Sequence, residues 1–184
     1  MTAAVSIDRL GAKLLVADVI GGVRHLPRTA LASLFEQGDL VVANDAATLP
    51  ASLRGAHHPS SEAIEVRLAA WVRLRDPERF IAIVSGAGDH RQRTEDRPPP
   101  PRLREGDRLD LGPLAATVER MLGHPRLIGI RFAGSRVRVL EGLVRHGRPV
   151  QYAHVPERLS LWDTWTWIAA DPIAFEPPSA GFAL

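Results

Sequence analysis

The chain has 184 residues, of which 45% are hydrophobic, so it is long enough for one large domain or two small ones with a buried core. The formal net charge is +2 and Lys13 is the only lysine, so the positive charge is almost entirely arginine, which favours nucleic-acid binding less than a clustered basic patch would. The absence of cysteine excludes disulfides, thiolate nucleophiles and cysteine-ligated metals, and no apolar run approaches the roughly 20 residues of a membrane span, so we expect a soluble cytoplasmic protein.

The first part of the chain predicts a hairpin, a short helix and a strand. AKLLVADVIGGVRHL has apolar residues on both sides of a Gly-Gly turn, which predicts a hairpin of residues 13–18 with 23–26. PRTALASLFEQGD has apolar residues at helical spacing between a proline and a glycine, which predicts a short helix. LVVAND then predicts a compact apolar strand that ends at Asn44 and Asp45.

The middle of the chain changes to short strand-like runs separated by turns. AIEVRLAAWVRL, RFIAIVSG, DRLDLG, LAATVERML and LIGIRFAG predict a small barrel or sandwich. The charged, proline-rich stretch GAGDHRQRTEDRPPPPRLREGD predicts a mobile hairpin loop. SRVRVLEGLVRHG predicts a helix with Val137, Leu140 and Val144 on one face.

Three motifs have both a functional and a structural interpretation. VSGAGDH follows a strand but opens a proline-rich stretch rather than a helix, so a hairpin turn is favoured over a nucleotide-binding loop. His57 and His58 have no third ligand at a suitable spacing, so loop residues are favoured over a metal site. Trp162, Trp165 and Trp167 are favoured as core residues over a base-stacking surface.

Three stretches, in order, resemble the family of S-adenosylmethionine:tRNA ribosyltransferase-isomerases of queuosine biosynthesis. GDLVVANDAATLPASLRG resembles that family's Gly-Asp, apolar strand and Asn-Asp segment, which a proline-alanine pair and a leucine follow. GRPVQYAHVPE resembles its Pro-Pro-Tyr-Ile stretch, and EPPSAGFAL resembles its Pro-Thr-Ala-Gly-Leu-His-Phe motif. The likeness covers only the front half of the family's usual length, so we expect a truncated or divergent member.

The resemblance implies a fold of two parts. Members of the family are similar in having an α/β domain into which a small antiparallel β-barrel is inserted. On this chain, residues 1–55 and 150–184 would form the α/β domain, incomplete relative to the family, and residues 56–149 the inserted barrel. Self-association, or a partner chain that supplies the missing half, is expected because a truncated sheet would leave an open edge.

The resemblance also implies a reaction. The ribosyl group of S-adenosylmethionine would be transferred and isomerised onto the 7-aminomethyl-7-deazaguanine base of a tRNA wobble position, with release of adenine and methionine. S-adenosylmethionine would be the substrate, tRNA the macromolecular partner, and no metal would be needed.

The residues that match the family's motifs form the predicted site. A carboxylate and an amide at a strand end are well placed for a ligand in an α/β sheet, and a tyrosine can stack or form a hydrogen bond. The turn near the C-terminus would let the backbone approach a ligand closely, with a serine hydroxyl as a donor. Turns and strand ends need such residues anyway, so a purely structural role fits each of them too. The predicted catalytic residues are Asp45 and Ser179, and the predicted cofactor-binding residues are Asn44, Tyr152, Pro178, Ala180 and Gly181.

Departures from the family pattern support an alternative, a catalytically silent relative that binds RNA or a nucleoside. Neither alanine nor serine can replace the fixed fork with which arginine binds a carboxylate or phosphate. The departures are Ala46 and Ala47 in place of threonine-arginine, Ser52 in place of arginine, His154 and Val155 in place of lysine-arginine, and Ala183 in place of histidine.

Overall fold

The structure is a computed structural model that describes residues 13–178. In this part of the chain, β-strands far outnumber helices. The strands are β1 (Lys13–Ala17), β2 (Val23–Pro27), β3 (Ala46–Thr48), β4 (Ser52–His57), β5 (Glu62–Trp71), β6 (Arg79–Gly86), β7 (Arg108–Leu111), β8 (Leu114–His124), β9 (Leu127–Phe132) and β10 (Asp171–Ala174); the α-helix is α1 (Arg136–His146), and three 3-10 helices span Arg28–Leu34, Thr94–Asp96 and Trp162–Thr164.

Six strands close into an antiparallel barrel in the order β4-β5-β6-β9-β8-β7, and β7 pairs with β4 to complete the ring. Side chains alternate between the two faces of each strand, so Ile64, Val66 and Leu68 of β5 point into the barrel, where they are at most 3% exposed. The predicted barrel is confirmed, and its interior is the main hydrophobic core.

The barrel is inserted between two strands that pair with each other. β3 precedes the barrel, β10 follows it, and the two form a parallel pair with Asp171 beside Ala46. A parallel pair needs a crossover connection, and here the crossover contains the whole barrel. This arrangement confirms the predicted insertion, whereas the domain boundaries at residues 55 and 150 remain a prediction.

The segment before β3 differs in part from the prediction. The β1–β2 hairpin is confirmed, and a 3-10 helix without a buried residue replaces the predicted helix. The predicted strand over LVVAND is wrong, because residues 40–45 have no strand to pair with in the described part of the chain. Leu40 and Val42 are accordingly 87% and 85% exposed.

Helix α1 is confirmed, and it packs on the barrel through Val139, Gly142 and Leu143. Val139, Gly142 and Leu143 are buried, whereas Val137 and Val144 are 63% and 66% exposed. Any side chain at position 142 would collide with β8, so the glycine lets the helix approach the barrel closely and thereby selects the buried face.

The connection from β6 to β7 is not a hairpin. The two strands are not neighbours in the barrel, so the predicted hairpin turn and hairpin loop are wrong, and the chain instead crosses the outside of β5 and β6. Arg97 of this connection is only 3% exposed and donates hydrogen bonds to the carbonyl oxygens of Gly86 and Asp89, at 3.1 and 3.3 Å. The crossing segment therefore covers one side of the barrel.

Candidate functional site

A cavity of about 330 Å³ lies where the outer face of β5 and β6 meets the segment that follows the barrel. Its volume is at the lower end of the range for small-molecule sites. The barrel, the β6–β7 connection and the segment after the barrel all contribute to its wall. The lining residues are Arg67, Leu68, Ala69, Ile83, Ser85, Thr94, Arg97, Val150, Tyr152, Phe175 and Glu176.

Tyr152, a predicted cofactor-binding residue, lines this cavity. Its hydroxyl donates a hydrogen bond to Glu176 Oε1 at 2.5 Å. Its ring stacks with His154, with 6.1 Å between ring centroids, and the Arg67 guanidinium lies 5.7 Å from the ring centroid, within cation–π range. The structure thus brings two of the family-like stretches, those that contain Tyr152 and Glu176, into direct contact.

A buried ionic network adjoins the cavity, because Arg67 and Arg97 line the cavity and both bind Glu65. The carboxylate of Glu65 accepts hydrogen bonds from Arg67 Nε, Arg97 Nη1 and Ser52 Oγ, at 2.7, 2.7 and 2.8 Å. The side chains of Glu65 and Arg97 are only 5% and 1% exposed. A buried charge pair of this kind is favourable only while its hydrogen bonds are complete, so the network fixes the position of both guanidinium groups.

Charge and burial act in opposite directions on Glu65. Burial by itself raises the pKa of the Glu65 carboxyl, but the charges and hydrogen bonds of Arg67 and Arg97 outweigh it, so the pKa lies below its ordinary value. Glu65 is therefore ionised at neutral pH. Among the described residues, the Nε of Arg97 is buried without a hydrogen-bond partner.

Asn44 and Asp45 lie away from the cavity. They precede β3 rather than end a strand, because residues 40–45 form none. Asn44 Oδ1 accepts the backbone N–H of Ala46 at 3.0 Å, a local turn contact. The side chain of Asp45 is exposed, and its carbonyl accepts the N–H of Ala170 at 2.7 Å.

This placement puts the predicted carboxylate and the cavity at opposite ends of the β3–β10 pair. Asp45 stands before the first residue of β3, whereas Glu176 follows the last residue of the parallel strand β10. Three strand residues span about 10 Å. The structure therefore does not bring Asp45 together with Tyr152.

The remaining predicted site residues are at the C-terminal end of the sequence. Pro178 is the last described residue and is not part of the cavity lining. The predictions for Ser179, Ala180 and Gly181, like the departure at Ala183, fall outside the described residues.

The departures within the described residues have structural counterparts. Ala46 and Ala47 are 9% and 0% exposed, so neither position has room for a solvent-directed guanidinium. Ser52 donates to Glu65, as described above. His154 is exposed and stacks on Tyr152.

Sequence reasoning missed the two arginines that line the cavity and the Glu65 carboxylate that binds them. Glu65 and Arg67 alternate with three apolar residues of β5, so they share the strand's outer face. Such a face normally lies in solvent, and no sequence signal shows that the β6–β7 connection covers it. Arg97 lies among charged and proline residues, a context that gives no sign of burial.

The tryptophans and histidines also differ from the prediction. Trp162 and Trp167 are 70% and 85% exposed, so the core interpretation is wrong for both, whereas the indole N–H of Trp165 donates to the carbonyl of Thr48 at 2.9 Å. His57 is not a loop residue but a buried residue of β4. Its ring nitrogens contact Ser60 Oγ at 2.8 Å and Asp107 Oδ2 at 3.0 Å.

Over residues 13–178, no cluster of three or more histidine, aspartate or glutamate side chains could hold a metal ion. No helix in this range is long and apolar enough to cross a membrane.

A family model described as "Queuosine biosynthesis protein" matches residues 2–184. No curated protein matches the chain.

Proposed function

The chain belongs to the queuosine biosynthesis protein family, and from this premise we propose that it is an S-adenosylmethionine-dependent tRNA ribosyltransferase-isomerase. The observation that carries the proposal is the 330 Å³ cavity in which Tyr152 and Glu176 are hydrogen-bonded beside two arginines. Tyr152 and Glu176 come from two stretches that resemble this enzyme family.

The donor set of the cavity is compatible with the chemistry of S-adenosylmethionine. That substrate carries a carboxylate, a positively charged sulfur and an adenine ring. Arg67 and Arg97 line the cavity and supply positive charge for a carboxylate, and the Glu176 carboxylate can stabilise a positive charge. Tyr152 offers a ring face or a hydroxyl to a base.

The remaining roles are part of the same proposal. Asn44, Pro178, Ala180 and Gly181 would contribute to binding, while Asp45 and Ser179 would act on the reacting atoms. Because Asp45 lies at the other end of the β3–β10 pair, its role requires the reacting ribosyl group of S-adenosylmethionine to extend beyond the cavity, towards the bound tRNA.

Adenine release from S-adenosylmethionine, with tRNA carrying the modified base, tests the proposal. Tyr152→Phe removes a hydroxyl from the cavity and Glu176→Gln removes a negative charge, so each should raise KM for S-adenosylmethionine. Asp45→Asn and Ser179→Ala should lower kcat. Asp96→Asn, an exposed aspartate of the β6–β7 connection, is the matched control. If adenine release is unchanged in all four site variants, the assigned site is wrong.

The second candidate, a silent module that binds RNA or a nucleoside, is favoured by the burial of Ala46 and Ala47. Buried alanines leave no arginine where the resemblance expects one. Calorimetric titration of S-adenosylmethionine, paired with the adenine assay, separates the candidates. Stoichiometric binding without adenine release supports the module, whereas release above background supports the enzyme.

A further inference from the structure

A second, smaller cavity of about 20 Å³ adjoins the ionic network of Glu65. It is large enough for a water molecule or one oxygen of a ligand. Three arginines line it, Arg54, Arg148 and Arg158, together with Glu65 itself. These arginines are distinct from Arg67 and Arg97, which line the larger cavity.

Ordered backbone holds the arginines at this cavity. Arg54 lies within β4. Arg148 exchanges two backbone hydrogen bonds with Ser52 of β4, at 2.8 and 2.9 Å. Arg158 belongs to a turn that the buried side chain of Gln151 holds in place. The side-chain amide of Gln151 forms hydrogen bonds with the backbone of the residues on either side of Arg158, at 2.8 and 3.1 Å.

The positive charges at this cavity outnumber the negative ones. The Glu65 carboxylate is already engaged by Arg67 and Arg97, and Asp89 lies 3.9 Å from Arg54. Within residues 13–178, no carboxylate lies within 4.0 Å of Arg148 or Arg158.

Burial and the two neighbouring arginines act together on Arg148. Partial burial, together with the charges of Arg158 and Arg54, lowers the pKa of the Arg148 guanidinium. An arginine nevertheless stays protonated in proteins. The cluster therefore retains unbalanced positive charge, which a bound anion would neutralise.

We propose that Arg54, Arg148 and Arg158 form a binding site for a phosphate group of a polynucleotide. Planar guanidinium forks match the oxygens of a phosphate and bind them in pairs, and all three arginines line one cavity. The identity of the polynucleotide as tRNA rests on the proposed function, whereas the phosphate chemistry rests on the arginines alone.

Binding of a fluorescently labelled anticodon stem-loop RNA, followed by anisotropy between 50 and 200 mM salt, tests the site. Arg148→Gln and Arg158→Gln should each weaken binding roughly tenfold, because each removes charged hydrogen bonds to phosphate. Each should also reduce the slope of log affinity against log salt by about one.

Arg131→Gln is the control of equal charge. Arg131 is an exposed barrel residue whose charge is already paired with Glu119 at 3.0 Å, so its replacement should change affinity less than about twofold. Equal weakening in all three variants would show only a general charge effect and would overturn the site. Arg158 is exposed, so its variant remains informative if Arg148→Gln fails to fold.

A second probe separates failure of this site from failure of the proposed function. If the unmodified protein binds no RNA, calorimetric titration with inorganic phosphate decides. Phosphate binding that Arg148→Gln abolishes would support the site and count against action on tRNA. No phosphate binding at low salt would overturn the site itself.

Discussion

The barrel and the described segment before β3 differ in where their apolar side chains lie. Inside the barrel, Leu53, Val66 and Phe80 are all 0% exposed. Residues 13–45 contain no buried residue, and Val19 and Ile20 are 105% and 92% exposed. Both regions have apolar sequence, so composition alone does not explain the difference.

Closure of the barrel explains why its apolar side chains are buried and those before β3 are not. A closed sheet pairs its own backbone groups and encloses one face of every strand, whereas a two-stranded hairpin has no second layer to cover it. The comparison indicates that the barrel carries most of the stability of the described chain. Substitutions in the two regions should therefore differ strongly in how much they lower the free energy of unfolding.

The largest effect is expected at Phe80. It packs against Trp71, Phe132 and Phe175, with ring centroids 4.5, 5.6 and 6.2 Å away. Phe80→Ala should lower the free energy of unfolding by about 4 kcal/mol, because it leaves a cavity in the core. Phe35→Ala, at a 45% exposed position before β3, should cost less than about 0.5 kcal/mol. Urea unfolding measures both, and similar costs would contradict the comparison.

The next effect is expected at Glu65, on the barrel's outer face. Glu65→Gln should cost about 3 kcal/mol, because it leaves the buried Arg97 guanidinium without its counter-charge. Glu95→Gln is the control, since Glu95 pairs with Arg93 in solvent and should contribute at most about 1 kcal/mol. A Glu65→Gln protein as stable as the control would show that the network does not stabilise the fold.

The same carboxylate should make stability depend on pH. The pKa of Glu65 is lower in the folded state than its ordinary value of 4.5. Its contribution is therefore complete above pH 4.5 and is lost as the pH falls through the folded pKa. The pKa of Asp89 is also lowered, by a backbone hydrogen bond from Arg91, and the pKa of Asp110 is lowered by a side-chain hydrogen bond from Arg108. Acid will therefore destabilise every variant. The difference in Tm between the unmodified protein and Glu65→Gln should shrink between pH 7 and pH 3; a constant difference would contradict this assignment.

A smaller effect is expected where α1 packs on the barrel. A Cβ added at Gly142 would collide with the Leu114 side chain. Gly142→Ala should therefore cost about 2 kcal/mol through overpacking, despite the higher helix propensity of alanine. Val144→Ala, on the exposed side of the same helix, is the control and should change stability by less than about 0.5 kcal/mol. A stabilised Gly142→Ala would show that the helix can shift away from β8.

The smallest effect is expected at Trp167, despite its size. It is 85% exposed, so Trp167→Ala should change the free energy of unfolding by less than about 0.5 kcal/mol. Trp71→Ala should cost several times more, because its indole packs on Phe80 and donates to the carbonyl of Ile173 at 3.0 Å. Thermal unfolding monitored by circular dichroism distinguishes the two, and a large loss at Trp167 would show contacts that the structure lacks.

The regular elements of the barrel were predictable from local pattern. β5, β6, β8 and β9 carry enough apolar residues between turns for each to be recognised from sequence alone, and α1 has helical spacing and a glycine after its last residue. LVVAND has the same apolar character but forms no strand. A strand requires a partner, and a single apolar run does not specify one.

The candidate site was predictable only where a family-like motif marks it. Tyr152 was found in this way, and the cavity beside it supports the choice of residue without testing its role. Asp45 was grouped with Tyr152 by motif, although the β3–β10 register separates them. Arg97 could not be found, because its burial depends on how the β6–β7 connection crosses the barrel, a long-range property that no local pattern encodes.

The β3–β10 pair has a consequence for the order in which the chain folds. The indole of Trp165 bonds to Thr48 across 117 positions, so the whole barrel lies inside the loop that this contact closes. Closing so long a loop in an unfolded chain costs more entropy than a few ladder bonds return, whereas a folded barrel already holds the two flanking strands near each other. On the ribosome, β3 must remain without its partner β10 while the barrel and β10 are made, which takes on the order of ten seconds.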